Sequence, residues 1–343
     1  MVKVDMSQFL KENQALRLSL LFFCLFALTS FMTVRADGVF KIIEGMKDPS
    51  LKMTMETNVN ILLNVLEASA QNHSKSLKLP KDRFDDAAID ELNKIWKTSE
   101  MTCPSSMLAC RCLKTSTGWQ VRGIPMDFVE AAPDEKRQEI SIDFYGDGRI
   151  SGVSVAIELH RYDEIMAQAD EDELDYSRRQ IIVDFVENFR TAYNRKDLKL
   201  LRSVFGEKAL IITGRVVSEK PNTDISKFKL NNDRVVYSKH TKAEYLANLE
   251  RVFKYNKYIN VTFKDIDVVR HPKYDDIYGV TLKQYWHSSS YSDEGYLFLL
   301  IDFRDKDNPL IQVRTWQPYK DKQGNVITEE DQVFHLGSFR ITR

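Results

Sequence analysis

Twice along this chain, amphipathic helical segments come first and a run of strand segments follows. A parallel α/β sheet needs a crossover helix between neighbouring strands, so this order predicts an α+β chain built mainly on antiparallel pairing. The 343 residues leave room for about two domains at roughly 150 residues each. With 43% hydrophobic and 29% charged residues, and only 13 Gly and 9 Pro, the chain is neither collagen-like, low-complexity nor mostly disordered, and it is not a polytopic membrane protein. Lys plus Arg (49) nearly balances Asp plus Glu (50), so no charge excess points to nucleic acid as a partner.

In the first round, Val59, Leu62, Leu63, Leu66 and Ala70 recur at helical spacing and predict a helix over 50–72. A second helix over 86–98 buries Ile89, Leu92, Ile95 and Trp96. Asp85 is its cap, with Phe84 and Ile89 as a hydrophobic staple. Strands over 108–114 and 119–125 follow, then a hairpin pairing 139–144 with 149–157 through Tyr145-Gly146-Asp147-Gly148. That turn lacks the further acids and closing glutamate of a calcium loop.

The acidic run at Asp170–Glu173 and Asp175, four residues before Arg179, reads as a solvated helix entry. In the helix that follows, Ile181, Ile182, Phe185, Val186, Phe189 and Tyr193 form one stripe, while Asp184, Glu187, Asn188 and Arg190 point elsewhere. Asp197 caps a short helix, 209–217 is a strand, 218–232 a polar loop and 234–238 a short strand. Thr241-Lys-Ala-Glu244 is a capping box opening another helix. Strands are expected at 259–270, 277–288, 295–304, 310–317 and 334–342.

At the start of the chain, Lys3, Lys11 and Arg17 precede the apolar run Leu18–Leu28, and Val34 and Ala36 are small residues at the positions a signal peptidase inspects. Residues 1–36 are therefore expected to be a cleaved export signal, leaving no stable membrane span. The remaining chain divides into an N-terminal α+β domain over 37–165, an acidic linker and helix entry over 166–178, and a C-terminal domain over 179–343. After cleavage the chain keeps Cys103, Cys110 and Cys112, an odd set for which either Cys110 or Cys112 could pair with Cys103. Their spacing has no second knuckle, so no metal site is expected.

The segment Phe189-Arg-Thr-Ala-Tyr193, the break Asn194-Arg-Lys-Asp197, the later helix and a meander ending in Arg314-Thr-Trp316-Gln-Pro318 resemble the SnoaL-like, nuclear-transport-factor-2-like (NTF2-like) superfamily over about residues 175–343. The resemblance implies a cone of three helices on a strongly curved antiparallel sheet, with a pocket inside. Together with the signal, it resembles exported, Bacteroidetes-type members, which implies the periplasm, the outer-membrane surface or secretion in a Gram-negative bacterium. The first half is then either a diverged copy of the same fold or a different small α+β domain.

Strand alternation proposes which side chains enter the cone. The inward rows are Leu297, Leu299, Ile301 and Phe303; Ile311, Val313 and Thr315; and Tyr278, Val280, Leu282, Gln284 and Trp286. Ile259, Val261 and Phe263 continue them, and a bulge precedes Ile266 and Val268. The expected pocket is apolar, lined by Phe189, Tyr193, Tyr278, Gln284, Trp286 and Thr315. Enzymes of the superfamily need a buried carboxylate, often with a tyrosine, and these rows contain no Asp, Glu or His. No catalytic residue, cofactor or metal is therefore expected. The reading is a non-catalytic binding or protein-interaction module with a small apolar ligand; the alternative is an isomerase, hydrolase or cyclase. His287 beside Ser288–Ser290 has no orienting acid, and no glycine-rich phosphate loop or G-x-S-x-G elbow is present. On the outward face, Tyr285, Tyr296, Phe298, Arg314 and Trp316 form an aromatic patch, with Lys283, Asp302 and Gln312 beside it. Its composition suits packing on the first half, on a second copy or on an envelope protein.

Overall fold

The computed structural model describes residues 39–341 except 116, 133–134, 170, 219–232, 307 and 322. The export signal, most of the 218–232 loop, Asp170 and Thr342 lie outside the described residues. Strand β1 (Val39–Glu44), too short for its alternation to be read, precedes helices α1 (Pro49–Gln71) and α2 (Asp86–Thr98). Both helices begin at aspartates: Asp48 accepts from the backbone N–H of Ser50 at 2.8 Å, and Asp85 from that of Ala87 at 2.9 Å. Strands β2 (Met101–Thr102), β3 (Met107–Lys114), β4 (Trp119–Phe128), β5 (Arg137–Phe144) and β6 (Ile150–Ala156) complete the first sheet. Its order is β1-β3-β4-β5-β6, with β2 added on β4, and β1 runs parallel to β3.

Helix α3 (Leu159–Ala167) runs across the expected boundary between the N-terminal domain and the linker. Then come α4 (Glu173–Asn194), α5 (Leu198–Val204), β7 (Phe205–Ser218), β8 (Asp233–His240) and α6 (Lys242–Tyr255), and finally β9 (Ile259–Arg270), β10 (Ile277–Ser288), β11 (Ser292–Asp302) and β12 (Leu310–Pro318). The second sheet has the order β8-β7-β12-β11-β10-β9, antiparallel except where β12 meets β7. Its inner face and helices α3–α6 share one core. The chain is thus an α+β protein with two sheets. The hairpin β7–β8, inserted ahead of the last helix, has no counterpart in the first sheet, whose extra strand precedes the helices. The two halves therefore differ in element order.

Helix α4 is buried on both sides. Ile182, Val183, Val186 and Phe189 face the second sheet's core. The polar stripe, expected to point elsewhere, covers the edge strand β6 of the first sheet. Thr191 Oγ1 accepts from the Val155 N–H at 3.2 Å, Glu187 accepts from the Ile157 N–H at 2.7 Å, and Arg190 donates to the Ala156 carbonyl at 3.0 Å. A bare edge would leave these backbone groups unpaired, so the helix's polar side chains stand in for a missing strand. The helix entry is exposed at Glu171, Asp172 and Glu173, as expected, but not at Asp175. Asp175 and Arg179 are both buried, joined at 2.7 Å, and Asp175 also accepts from the Tyr278 hydroxyl.

Among the described residues, 334–341 do not form the expected last strand. Residues 329–341 instead form two short 3-10 turns, Glu330–Gln332 and Leu336–Ser338, laid on the outer face of the second sheet.

Candidate functional site

The register of β12 decides what the hollow contains. Ile311 lies opposite Ile301, but Val313 lies opposite Leu300, so Gln312 is an extra residue and the strand changes parity there. Beyond the bulge, Arg314 faces Leu299 and Trp316 faces Leu297, both on the inner row, while Thr315 faces Phe298 on the outer row. Three expectations are corrected here. Arg314 and Trp316 belong to the hollow, not to an outer interface. Thr315 is fully buried on the outer side and does not line the pocket, and Val313 packs with it there. The corresponding bulge in β9 lies where expected, at Asp265, whose φ is +51°.

Strand β11 also starts earlier than its aliphatic row suggests. It begins at Ser292, which sets Asp293 opposite Trp286 on the inner row. Of the expected lining residues, Tyr193, Gln284 and Trp286 do border a cavity of about 520 Å³, together with Tyr245, Asp293, Arg314 and Trp316. Phe189 and Tyr278 are packed in the core behind it.

The floor of the cavity is aromatic and tightly coupled. The Tyr193 and Tyr245 hydroxyls are 2.7 Å apart, and the Tyr193 ring meets Phe189 at 5.0 Å and Trp286 at 5.9 Å, edge to face. Burial pushes the Tyr193 phenol well above its ordinary range. The Arg314 guanidinium stands 5.1 Å from the Tyr245 ring centre. Trp316 spreads across Gly295, where an added Cβ would meet the indole at 2.8 Å. Asp293 accepts from the Tyr291 hydroxyl at 2.7 Å. Burial pushes its carboxyl up to about 6, although that hydroxyl and Arg314 pull it the other way. At the rim, His240 Nε2 lies 2.9 Å from Thr213 Oγ1.

Several buried polar atoms here have no hydrogen-bond partner among the described residues: Nε and Nη1 of Arg314, Oε1 of Gln284, Oδ1 of Asp293 and Nε1 of Trp316. All belong to residues lining the same cavity. Buried polar atoms are nearly always paired, by the protein, by ordered water or by another molecule. Sequence reading missed Asp293 because it fell outside the recognised strand, and missed Arg314 because a one-residue insertion leaves no local signature.

The expected interface residues divide. Phe298 is 1% exposed and stacks on Phe339 at 5.5 Å, with Ile277, Leu300, Val313 and Leu336 around it. Tyr296 is buried edge-on against Tyr319 at 5.5 Å. The chain's own C-terminal segment thus covers the aliphatic and Phe298 part of the face. Tyr285 stays half-buried, with the Lys264 ammonium 5.5 Å from its ring centre. Asp302, also expected outside, is buried and paired with Arg304. Cys103, Cys110 and Cys112 are free thiols, and burial pushes Cys110 and Cys112 up to about 11. Among the described residues no group of three or more His, Cys, Asp or Glu could hold a metal ion, and no helix is long and apolar enough to cross a membrane.

No protein-family model matches the chain, and no curated protein matches it. Solved structures give partial likenesses. Bd1075 of Bdellovibrio bacteriovorus is 16% identical with a TM-score of 0.32, covering 50% of this chain and 57% of its own. This chain therefore spans little more than half of that protein's length. An NTF2-like protein of unknown function from Pseudomonas putida is 9% identical (TM-score 0.31; 43% of this chain, 92% of its own). An NTF2-like protein from Cytophaga hutchinsonii is 12% identical (TM-score 0.30; 41% of this chain, 98% of its own).

Proposed function

We propose that the chain is a binding protein whose C-terminal hollow takes up a small molecule carrying polar groups. The observation that carries this reading is the set of unpartnered buried atoms on Arg314, Gln284, Asp293 and Trp316 around one cavity. Leaving a buried polar group unpaired costs about 1–3 kcal/mol, so several in one place are sustained most economically by a ligand or water that completes them. The apolar ligand expected from the strand rows gives way to an amphipathic one, because the walls are aromatic and the convergent groups are polar. Export to the cell envelope stays part of this proposal and rests on residues 1–36. The test is a thermal-shift and tryptophan-fluorescence screen of small ring compounds, since Trp286 and Trp316 line the cavity. A ligand that binds only the folded state raises the melting temperature with its concentration. A screen in which ring compounds neither shift the melting temperature nor alter the fluorescence speaks against it.

A second reading rests on Asp293. A carboxyl held at about 6, touching the Tyr291 hydroxyl and facing the cavity, suits proton transfer near neutral pH. On this reading the hollow is that of an isomerase, hydrolase or cyclase, and Asp293→Asn abolishes turnover while sparing binding.

A further inference from the structure

We infer that the ligand of this hollow is a ring-bearing hydroxy acid, its carboxylate received by Arg314 and its hydroxyl directed at Asp293 or Gln284. The inference rests on the binding reading above and deepens it. The unpartnered buried atoms divide into donors, Arg314 Nε and Nη1 with Trp316 Nε1, and acceptors, Gln284 Oε1 with Asp293 Oδ1. A ligand that completes them brings acceptors to one side and a donor to the other. Arg314 is 5% exposed, rests on the Tyr245 ring, donates to the Tyr193 hydroxyl and keeps Nε and Nη1 without a hydrogen-bond partner among the described residues. A buried guanidinium with open donors is completed best by an anion.

The charge of that anion is limited. Arg314 is the only Lys or Arg among the residues lining the cavity, and Asp293 stands near it. A monoanion such as a carboxylate fits this balance, whereas a phosphate dianion would meet one cation and one acid. The rest of the wall is flat and aromatic, from Trp286, Trp316 and Tyr245, which suits a ring. A cavity of about 520 Å³ lies within the ordinary range for small-molecule sites and admits one or two rings.

The test uses matched probes on the full chain, read by calorimetry and tryptophan fluorescence at pH 7. They are 4-hydroxyphenylacetate and 6-hydroxy-2-naphthoate, their methyl esters, the same acids without the hydroxyl, phenyl phosphate, and uncharged 2-naphthol. At least one free acid is expected to bind at least about tenfold more tightly than its ester, the scale of one charge-assisted hydrogen bond. Removing the hydroxyl is expected to weaken binding several-fold. Arg314→Gln is expected to bring the acid down to the ester's affinity. Should that variant fail to fold, the acid-to-ester ratio in the unaltered protein decides alone. The proposal is overturned if no acid is preferred to its ester, or if phenyl phosphate binds more tightly than every carboxylate. Binding of 2-naphthol without any preference for acids would remove this inference and leave the binding reading standing. If neither 2-naphthol nor any acid binds, both fall.

Discussion

Arg122 of β4 and Glu187 of α4 meet through both arms of the guanidinium, and each is only 1% exposed. The pair joins the first sheet to the helix that roofs the second. Glu187 also receives the Ile157 N–H at the edge of β6, and the Arg122 guanidinium lies 4.4 Å from the Tyr162 ring centre. Breaking one side of such a pair strands the other charge in a dry site.

Glu187→Gln or Arg122→Met should therefore destabilise the fold by about 3–5 kcal/mol, and the double variant should cost less than the two single changes added together. Urea denaturation of the four proteins measures this. Additive losses would show that the two side chains do not act as a pair.

Gln120 Nε2 donates to Asp143 at 2.8 Å and to Asp184 at 3.1 Å. Burial is the first cause pushing Asp143 up to about 6 and Asp184 up to about 7; the nearby Glu187 charge adds to it, while Gln120 and Arg122 pull down. Both folded values lie above the unfolded value of about 3.9, so the folded state holds more protons between them. Their contribution is fully present below about pH 4 and is lost as pH rises through 6 to 7. The Asp184 side chain is 33% exposed, so solvent screening leaves an effect on the order of 1 kcal/mol. Asp143→Asn and Asp184→Asn should raise stability at pH 8 relative to the unaltered protein and should lose that advantage at pH 4. Melting curves at the two pH values check the sign.

An added Cβ at Gly295 would lie 2.3 Å from the Gln317 carbonyl oxygen and 2.8 Å from the Trp316 indole. Gly295→Ala should cost about 1–3 kcal/mol through overpacking and should turn the indole off the strand. Near-UV circular dichroism and denaturation report the two effects separately. An unchanged near-UV spectrum would mean that the indole has not moved.

Phe339 lies against both Phe298 and Phe334, at 5.5 and 5.8 Å. Phe339→Ala should remove about 1–2 kcal/mol, because the ring is half-buried. Deleting residues 333–343 should uncover Phe298, Leu300 and Val313 and drive self-association in size-exclusion chromatography. A deletion that stays monomeric and stable would show that the segment is not what keeps this face covered.

Much of the fold could be read along the chain because its signals are local. The caps read at Asp85, Asp197 and Thr241 each accept from a backbone N–H two or three residues on. The apolar stripe of α4 and the aliphatic row of β11 repeat often enough to fix the buried face. The candidate site was less legible. Tyr193, Gln284 and Trp286 follow from periodicity that holds throughout their elements. Arg314 and Trp316 do not, because parity along β12 reverses at Gln312, and nothing in Ile311-Gln-Val-Arg-Thr-Trp316 distinguishes a bulged strand from a regular one.

What the amino-acid sequence determined alone was the succession of helices and strands and the apolar side of most of them, through capping, turn chemistry and periodicity within a few residues. Tertiary structure decided where polar residues go. Glu187 and Arg190, from the stripe expected to point elsewhere, become with Thr191 the partners of a sheet edge, and Arg314 with Asp293 enters the hollow. A strand's parity and an edge's need for hydrogen bonds are set by the neighbour it pairs with, and that neighbour is remote in the chain.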